Sequence, residues 1–160
     1  MKKTVVLALV IFCMMCGMVA RADSTCNVTV NGVYVEFDQP PIIKDSRTYV
    51  PLRAVGEQMG ASVKWNDDTR TVTIIYKNTG IALEVGNKIM TVRDMSTGAE
   101  FTEDLEVPPI EYGGRVLSPL RAIMERLGCT VGWDQASYTV TVTTDDSVGF
   151  NNNRIIILGE

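Results

Sequence analysis

The sequence contains no histidine. That absence removes Ser-His-Asp and Cys-His nucleophilic systems and most transition-metal sites, which lean on imidazole. Cysteine is scarce: Cys13, Cys16, Cys26 and Cys129 are all there is. Two of them fall in an N-terminal apolar run, and the remaining two, without histidine, do not make a zinc site. No run of lysine and arginine is present, so the chain is a poor match for a nucleic-acid backbone. A glycine-rich phosphate loop is missing too. Aromatic residues make up only 7% of the chain, two of them tryptophan, so each tryptophan calls for an explanation.

What is present begins with a leader. Met1-Lys2-Lys3 is followed by an uninterrupted apolar run from Val5 to Val19, then Ala20-Arg21-Ala22 and a polar Asp23. A basic start, an apolar stretch and a small-x-small exit read as a secretory signal peptide over residues 1–22. The run is short and wrongly flanked for a membrane span; an uncleaved anchor is the alternative. The expected location is therefore secreted, with cell-wall association a further expectation. Without the leader the chain has 12 basic and 19 acidic residues, a net charge of −7. That balance disfavours anionic membranes as well as nucleic acid. Export would permit a disulfide between Cys26 and Cys129. Cys129 also stands where the other repeat has Ala61, which suits a small buried thiol equally.

The rest of the chain is one unit written twice. Residues 41–74 align with 109–142 at an offset of 68 without a gap, and 14 of 34 positions are identical. Pro51-Leu52-Arg53-Ala54 becomes Pro119-Leu120-Arg121-Ala122. Glu57, Gly60, Val63 and Trp65 return as Glu125, Gly128, Val131 and Trp133. Upstream, Val28–Val30, Asn31-Gly32 and Val33–Phe37 read as strand, tight turn and strand, because both turn positions favour positive φ. Residues 81–92 have the same layout around Gly86-Asn87. The first copy spans 23–86. The second spans 87–160 and carries a polar, acidic stretch, 93–106, read as an inserted loop. The closing Arg154–Gly159 looks like the strand Ala82–Val85 begun again, as if to close the second sheet.

Within a copy, prolines 51 and 119 are expected at the first helical position, with Ser118 as a good N-cap. Short helices are expected over 51–59 and 119–127. Leu52, Val55 and Met59 (Leu120, Ile123 and Leu127) form the apolar face, and Gly60 and Gly128 close the helix in the left-handed conformation. A hairpin comes after each. The fold class is α+β, dominated by β: two repeated lobes, each a small, mostly antiparallel sheet packed on one short helix.

The segments PLRAVGEQMGASVKWN (51–66) and PLRAIMERLGCTVGWD (119–134) resemble the copper amine oxidase N-terminal-like domain, or stalk domain. The resemblance covers nearly the whole chain after the leader. It implies a small sheet on a helix in an extracellular protein, typically of a Gram-positive bacterium, and an accessory domain separate from any active site. It carries no activity across. The amine oxidases hold copper with three histidines, and their cofactor arises from a tyrosine in an Asn-Tyr-Asp/Glu context. This chain has neither, so no cofactor is expected.

Four groups of residues bear on function. Glu57 and Glu125, each four residues after Arg53 or Arg121, could form an acid pair for glycoside hydrolysis or a structural Arg–Glu pair tying helix to sheet; the second reading is favoured. Asp67-Asp68 and Glu103, Asp104 and Glu106 could offer oxygen ligands to calcium, but solvated acids in turns fit better. Trp65 and Trp133, two residues beyond a core valine, are expected to be mostly core; the alternative is a ligand platform. Phe101 and Tyr112, with Tyr34 and Phe150, could form an aromatic patch near the inserted loop. The expected protein is a non-catalytic envelope or extracellular module, binding cell-wall glycan or another envelope protein, with no metal or catalytic site. Alternatives are a carboxylate-dependent glycoside hydrolase and a surface subunit self-assembling through residues 154–160.

Overall fold

A computed structural model describes residues 25–145. The leader, Phe150 and the Arg154–Gly159 segment lie outside the described residues. Thirteen strands and two short helices are found there. Among the described residues no helix is long and apolar enough to cross a membrane.

Each copy contributes one hairpin to a shared central sheet. In the first copy it is β3 (Ile42–Lys44) and β4 (Arg47–Pro51); in the second, β10 (Ile110–Tyr112) and β11 (Arg115–Pro119). The inner strands β4 and β11 pair antiparallel, with Ser118 opposite Val50, Leu117 opposite Pro51 and Pro119 opposite Tyr49. Since 50 and 118 are equivalent positions, an approximate two-fold axis runs through that pair. Each inner strand leads directly into a helix, α1 (Leu52–Gln58) or α2 (Leu120–Arg126).

The prolines are thus the last strand residues and the N-caps, one place earlier than the sequence suggests. Ser118 does not cap α2; it lies in β11, fully buried, and its hydroxyl has no protein partner. Its φ/ψ belongs to the strand because β11 needs the residue for the central sheet. The apolar helix faces are as expected: Leu52, Val55, Leu120 and Ile123 are all buried. The first helix ends in a Schellman turn, and at the end of the second the Gly128 N–H bonds the Glu125 carbonyl at 3.1 Å. In α1, the Gly60 N–H bonds the Glu57 carbonyl at 3.0 Å and the Ala61 N–H bonds the Gly56 carbonyl at 2.8 Å. Gly60 and Gly128 take φ of +82° and +84°.

After α1 the chain builds a five-stranded sheet in order: β5 (Ser62–Asn66), β6 (Thr71–Tyr76), β7 (Thr79–Glu84), β8 (Ile89–Asp94) and β9 (Glu100–Asp104). The stretch 93–106 is therefore not a plain loop. It holds the end of β8, a turn, and an edge strand whose exposed Glu100 and Asp104 discourage further pairing. Polar composition misled because an edge strand can be as polar as a loop.

After α2 come β12 (Cys129–Asp134) and β13 (Thr139–Thr144). Their sheet is completed by the first hairpin of the chain, β1 (Asn27–Val30) and β2 (Val33–Tyr34), in the order β12-β13-β1-β2. That hairpin turns at Asn31 and Gly32, both with positive φ as expected, but its second strand is only two residues long. Strand β1 runs parallel to β13, setting Val28 beside Val140 and Val30 beside Val142. The side chain of Asn31 also bonds Thr144, accepting from its N–H at 2.9 Å. The position beside β13 that corresponds to β7 beside β6 is thus filled by β1. The leading hairpin, assigned by sequence to the first copy, completes the second copy's sheet. The strand sense differs for a covalent reason. Strands β6 and β7 are joined by two residues and must be antiparallel, whereas β1 arrives from far away in sequence and can run parallel.

One apolar cluster joins both copies, including Val28, Val50, Leu52, Ile74, Leu83, Leu120 and Val142. Each helix also touches the other copy's inner strand, α1 against β11 and α2 against β4. Two equivalent ion pairs cross between the copies at the surface. Arg47 meets Glu106 at 2.8 Å, and Arg115 meets Asp38. Moving either pair by 68 positions gives the other. Both are largely exposed, so solvent screens them and neither contributes much to stability.

Candidate binding groove

The helix acids are the first candidates to be placed. Glu57 lies 4.0 Å from Arg53 and Glu125 3.9 Å from Arg121, all four half or more exposed. These are intrahelical pairs on the solvent faces of α1 and α2, and they do not tie helix to sheet. Glu57 lines a small cavity beside Tyr34 and Glu36, while Glu125 lines a separate, larger groove. The two carboxyls share no cleft. Three of the five acids weighed for calcium are engaged elsewhere. Asp67 accepts the indole N–H of Trp65 at 2.8 Å, Glu103 pairs with Arg126, and Glu106 with Arg47. Among the described residues no group of three potential ligands could hold a metal ion.

The aromatic residues disperse. Tyr34 is on β2, Tyr112 on β10 and Phe101 on β9, in three different sheets, so they make no common patch. Phe101 is half-buried, with the Arg126 guanidinium 5.3 Å from its ring centre. Tyr112 is exposed. Trp65 is half-buried and packs against the core as expected. Trp133 departs from the expectation and is 39% exposed. Edge position is not what separates the two, because β5, which carries Trp65, is an edge strand like β12.

Trp133 forms one wall of a groove of about 710 Å³. The first turn of α2 supplies Arg121 and Ala122, with Glu125 one turn on. The β3–β4 turn supplies Ser46, the start of β4 supplies Arg47 and Thr48, and Asp104 and Glu106 also line the groove. The indole is held in place. Its N–H donates to Gln135 Oε1 at 3.0 Å, and Tyr138 packs against it edge-to-face, with ring centres 5.0 Å apart. The intervening turn is fixed by Asp134, which accepts from the Ser137 hydroxyl at 2.6 Å and the Ala136 N–H at 2.9 Å. These bonds, the Ser137 hydroxyl first, hold the Asp134 carboxyl below the usual carboxylate range. Ser46 sits on the rim at φ +59°, a left-handed conformation that costs a serine about 1 kcal/mol.

Sequence reasoning named Trp133, Arg121 and Glu125 here. It did not select Ser46, Arg47, Gln135 or Tyr138 for this site. The 68-residue offset was the available signal, since comparing equivalent positions shows where the copies diverge.

The cysteines are settled as to placement. Cys26 and Cys129 are both buried and free. Burial pushes the Cys129 thiol up to about 11 and raises that of Cys26, so both are inert protonated thiols at neutral pH.

A duplicated β-rich unit, its two copies sharing a sheet, a core and an exchanged hairpin, defines the class of protein. The copper amine oxidase N-terminal domain matches the chain twice, over residues 29–102 and 96–157. The chain belongs to that family, whose N-terminal domain is a non-catalytic module. No curated protein and no solved structure matches it.

Proposed function

We propose that this protein is exported and acts at the cell envelope as a non-catalytic binding module. The observation that carries the reading is the groove walled by Trp133, a preformed concave surface with an aromatic side and polar rims. Export rests on the leader-like residues 1–22. Absence of catalysis rests on how the acids are placed: the repeat-matched pair is split between two cavities, and two of the three acids that line the groove stand beside arginines. Glycoside hydrolysis needs two carboxyls facing one substrate, one of them in surroundings that keep it protonated. Glu57 and Glu125 face different cavities, and Glu125 and Glu106 each have an arginine beside them.

The test is co-sedimentation of residues 23–160 with isolated peptidoglycan sacculi at low and moderate salt. Retention in the pellet, competed away by soluble wall fragments, is the expected result. An empty pellet at every salt concentration would remove the envelope polymer as the partner.

A further inference from the structure

We infer that the groove beside α2 is a saccharide cleft, in which a sugar ring stacks on Trp133, and that the first copy's equivalent surface is barred on the side of Trp65, leaving only the smaller cavity at Glu36, Ala54 and Glu57. This deepens the envelope-binding reading and takes its source of ligand from it. The support comes from where two copies of one unit differ.

Moving by 68 residues converts each groove position into its counterpart. The first copy has Lys64 where the groove has Gly132. Around Trp65, Arg70 is ion-paired at 2.8 Å with the second copy's Glu111, where the surroundings of Trp133 have Tyr138 and the first copy's Ile43. Its indole N–H is bound by the carboxylate of Asp67, where the second copy uses the uncharged Gln135. At all four positions a charge in the surroundings of Trp65 stands against a small, apolar, aromatic or amide residue in the surroundings of Trp133. The ion pair takes the places of Tyr138 and Ile43, whereas the lysine alternates with Trp65 and projects from the other face of its strand. The Pro-Leu-Arg-Ala, Glu, Gly and Trp scaffold around these positions is unchanged.

The chemistry left in the groove points to an uncharged, hydroxyl-rich ligand. Its arginines are matched by acids, Arg47 by Glu106 and Arg121 by Glu125, so the rim offers donors and acceptors without a strong field of either sign. Three carboxylates, from Asp104, Glu106 and Glu125, oppose a polyanion. The indole, oriented in advance by Tyr138 and Gln135, presents a rigid apolar face at low entropic cost. A pyranose ring, apolar on its C–H face and polar at its edge, matches both surfaces.

The probe is tetra-N-acetylchitotetraose, titrated into residues 23–160 by calorimetry, with sacculi co-sedimentation in parallel. Two changes test the groove. Trp133→Ala removes the platform. The double substitution Ile43→Glu with Tyr138→Arg installs the closing pair found around Trp65, and its thermal melt reports whether the fold is kept. Arg70 already occupies a positive φ like that of Tyr138, +48° against +54°, so the backbone tolerates the change. Both variants are expected to weaken tetrasaccharide binding at least tenfold, while Lys64→Gly in the first copy leaves it unchanged. Equal binding by the wild type and the folded closing variant would overturn the proposal. Sacculi retained without any tetrasaccharide binding would overturn it too, leaving the envelope reading intact. Tetrasaccharide bound through Trp133 but no sacculi retained would uphold the cleft and remove the envelope polymer as its source. Binding of neither would remove both.

Discussion

Gly56 shows how a single side chain separates the copies. A Cβ built there would come within 2.6 Å of Val63 Cγ2 on β5. The second copy carries Met124 at the same helical position, fully buried. Alanine is intrinsically better in a helix by about 1 kcal/mol, but overlap with a branched, packed valine costs about 1–3 kcal/mol. Gly56→Ala is therefore expected to destabilise the protein by about 1 kcal/mol, read as a lower midpoint in urea with an unchanged slope. A raised midpoint would show that β5 yields at little cost. At this scale much was legible in advance. Gly60 and Gly128 were identifiable because a helix stop with positive φ favours glycine, and the Arg53–Glu57 spacing because residues four apart share a helix face. The exposure of Trp133 was not legible, because alternation says which face a residue takes and not whether anything covers it.

Among the elements, the turn joining β8 to β9 is the one most tightly organised by a single acid. Asp94 Oδ1 accepts from the Ser96 hydroxyl at 2.7 Å, the Ser96 N–H at 2.8 Å, the Thr97 N–H at 3.2 Å and Asn78 Nδ2 at 2.8 Å. These bonds, the Ser96 hydroxyl first, favour the carboxylate and bring its pKa down to about 2. A depressed value means that the charged form is better held in the folded state than in the unfolded one. The stabilisation is thus present above the ordinary carboxylate value near 3.8 and disappears as pH falls through about 2. The stability difference between the wild type and Asp94→Ala should be constant from about pH 5 to 7 and shrink steadily below about pH 4. A difference that stayed flat down to about pH 2 would remove the turn from the acid response. The same element shows where reading by composition failed. Residues 93–106 contain a strand because β8 offers them an edge to pair with, and that edge comes from the folded sheet.

At the scale of the molecule, the first hairpin decides the fate of the thiols. Strand β1 lies in the second copy's sheet, which brings Cys26 into the same sheet as Cys129 but at its opposite end. Cys26 precedes Asn27, which is level with Thr139, whereas Cys129 is level with Thr144. About six residues of strand separate the two levels, roughly 20 Å, far beyond the ~7 Å that a disulfide can span. Export into an oxidising compartment is therefore not expected to join them. Non-reduced protein, residues 23–160, should show two thiols to Ellman's reagent in denaturant and almost none in the native state. No thiols in denaturant would mean a bridge, and with it a different pairing of β1.

The sequence by itself determined the unit: a duplicated module, the helix with its glycine stop, the hairpin with its Asn-Gly turn, the β-dominated class and the family. All of these come from local rules, such as positive φ, residue spacing and apolar periodicity, that act within a few residues of chain. Only the tertiary structure decided which sheet each hairpin joins, that the central sheet runs through both copies, and that one tryptophan borders a groove while its equivalent packs against the core. Those outcomes depend on competition between distant strands for the same edge, with Val28 and Val30 set against Val140 and Val142. They depend also on whether a neighbour such as the Arg70–Glu111 pair lies across a surface. Neither is written in the spacing of residues along the chain.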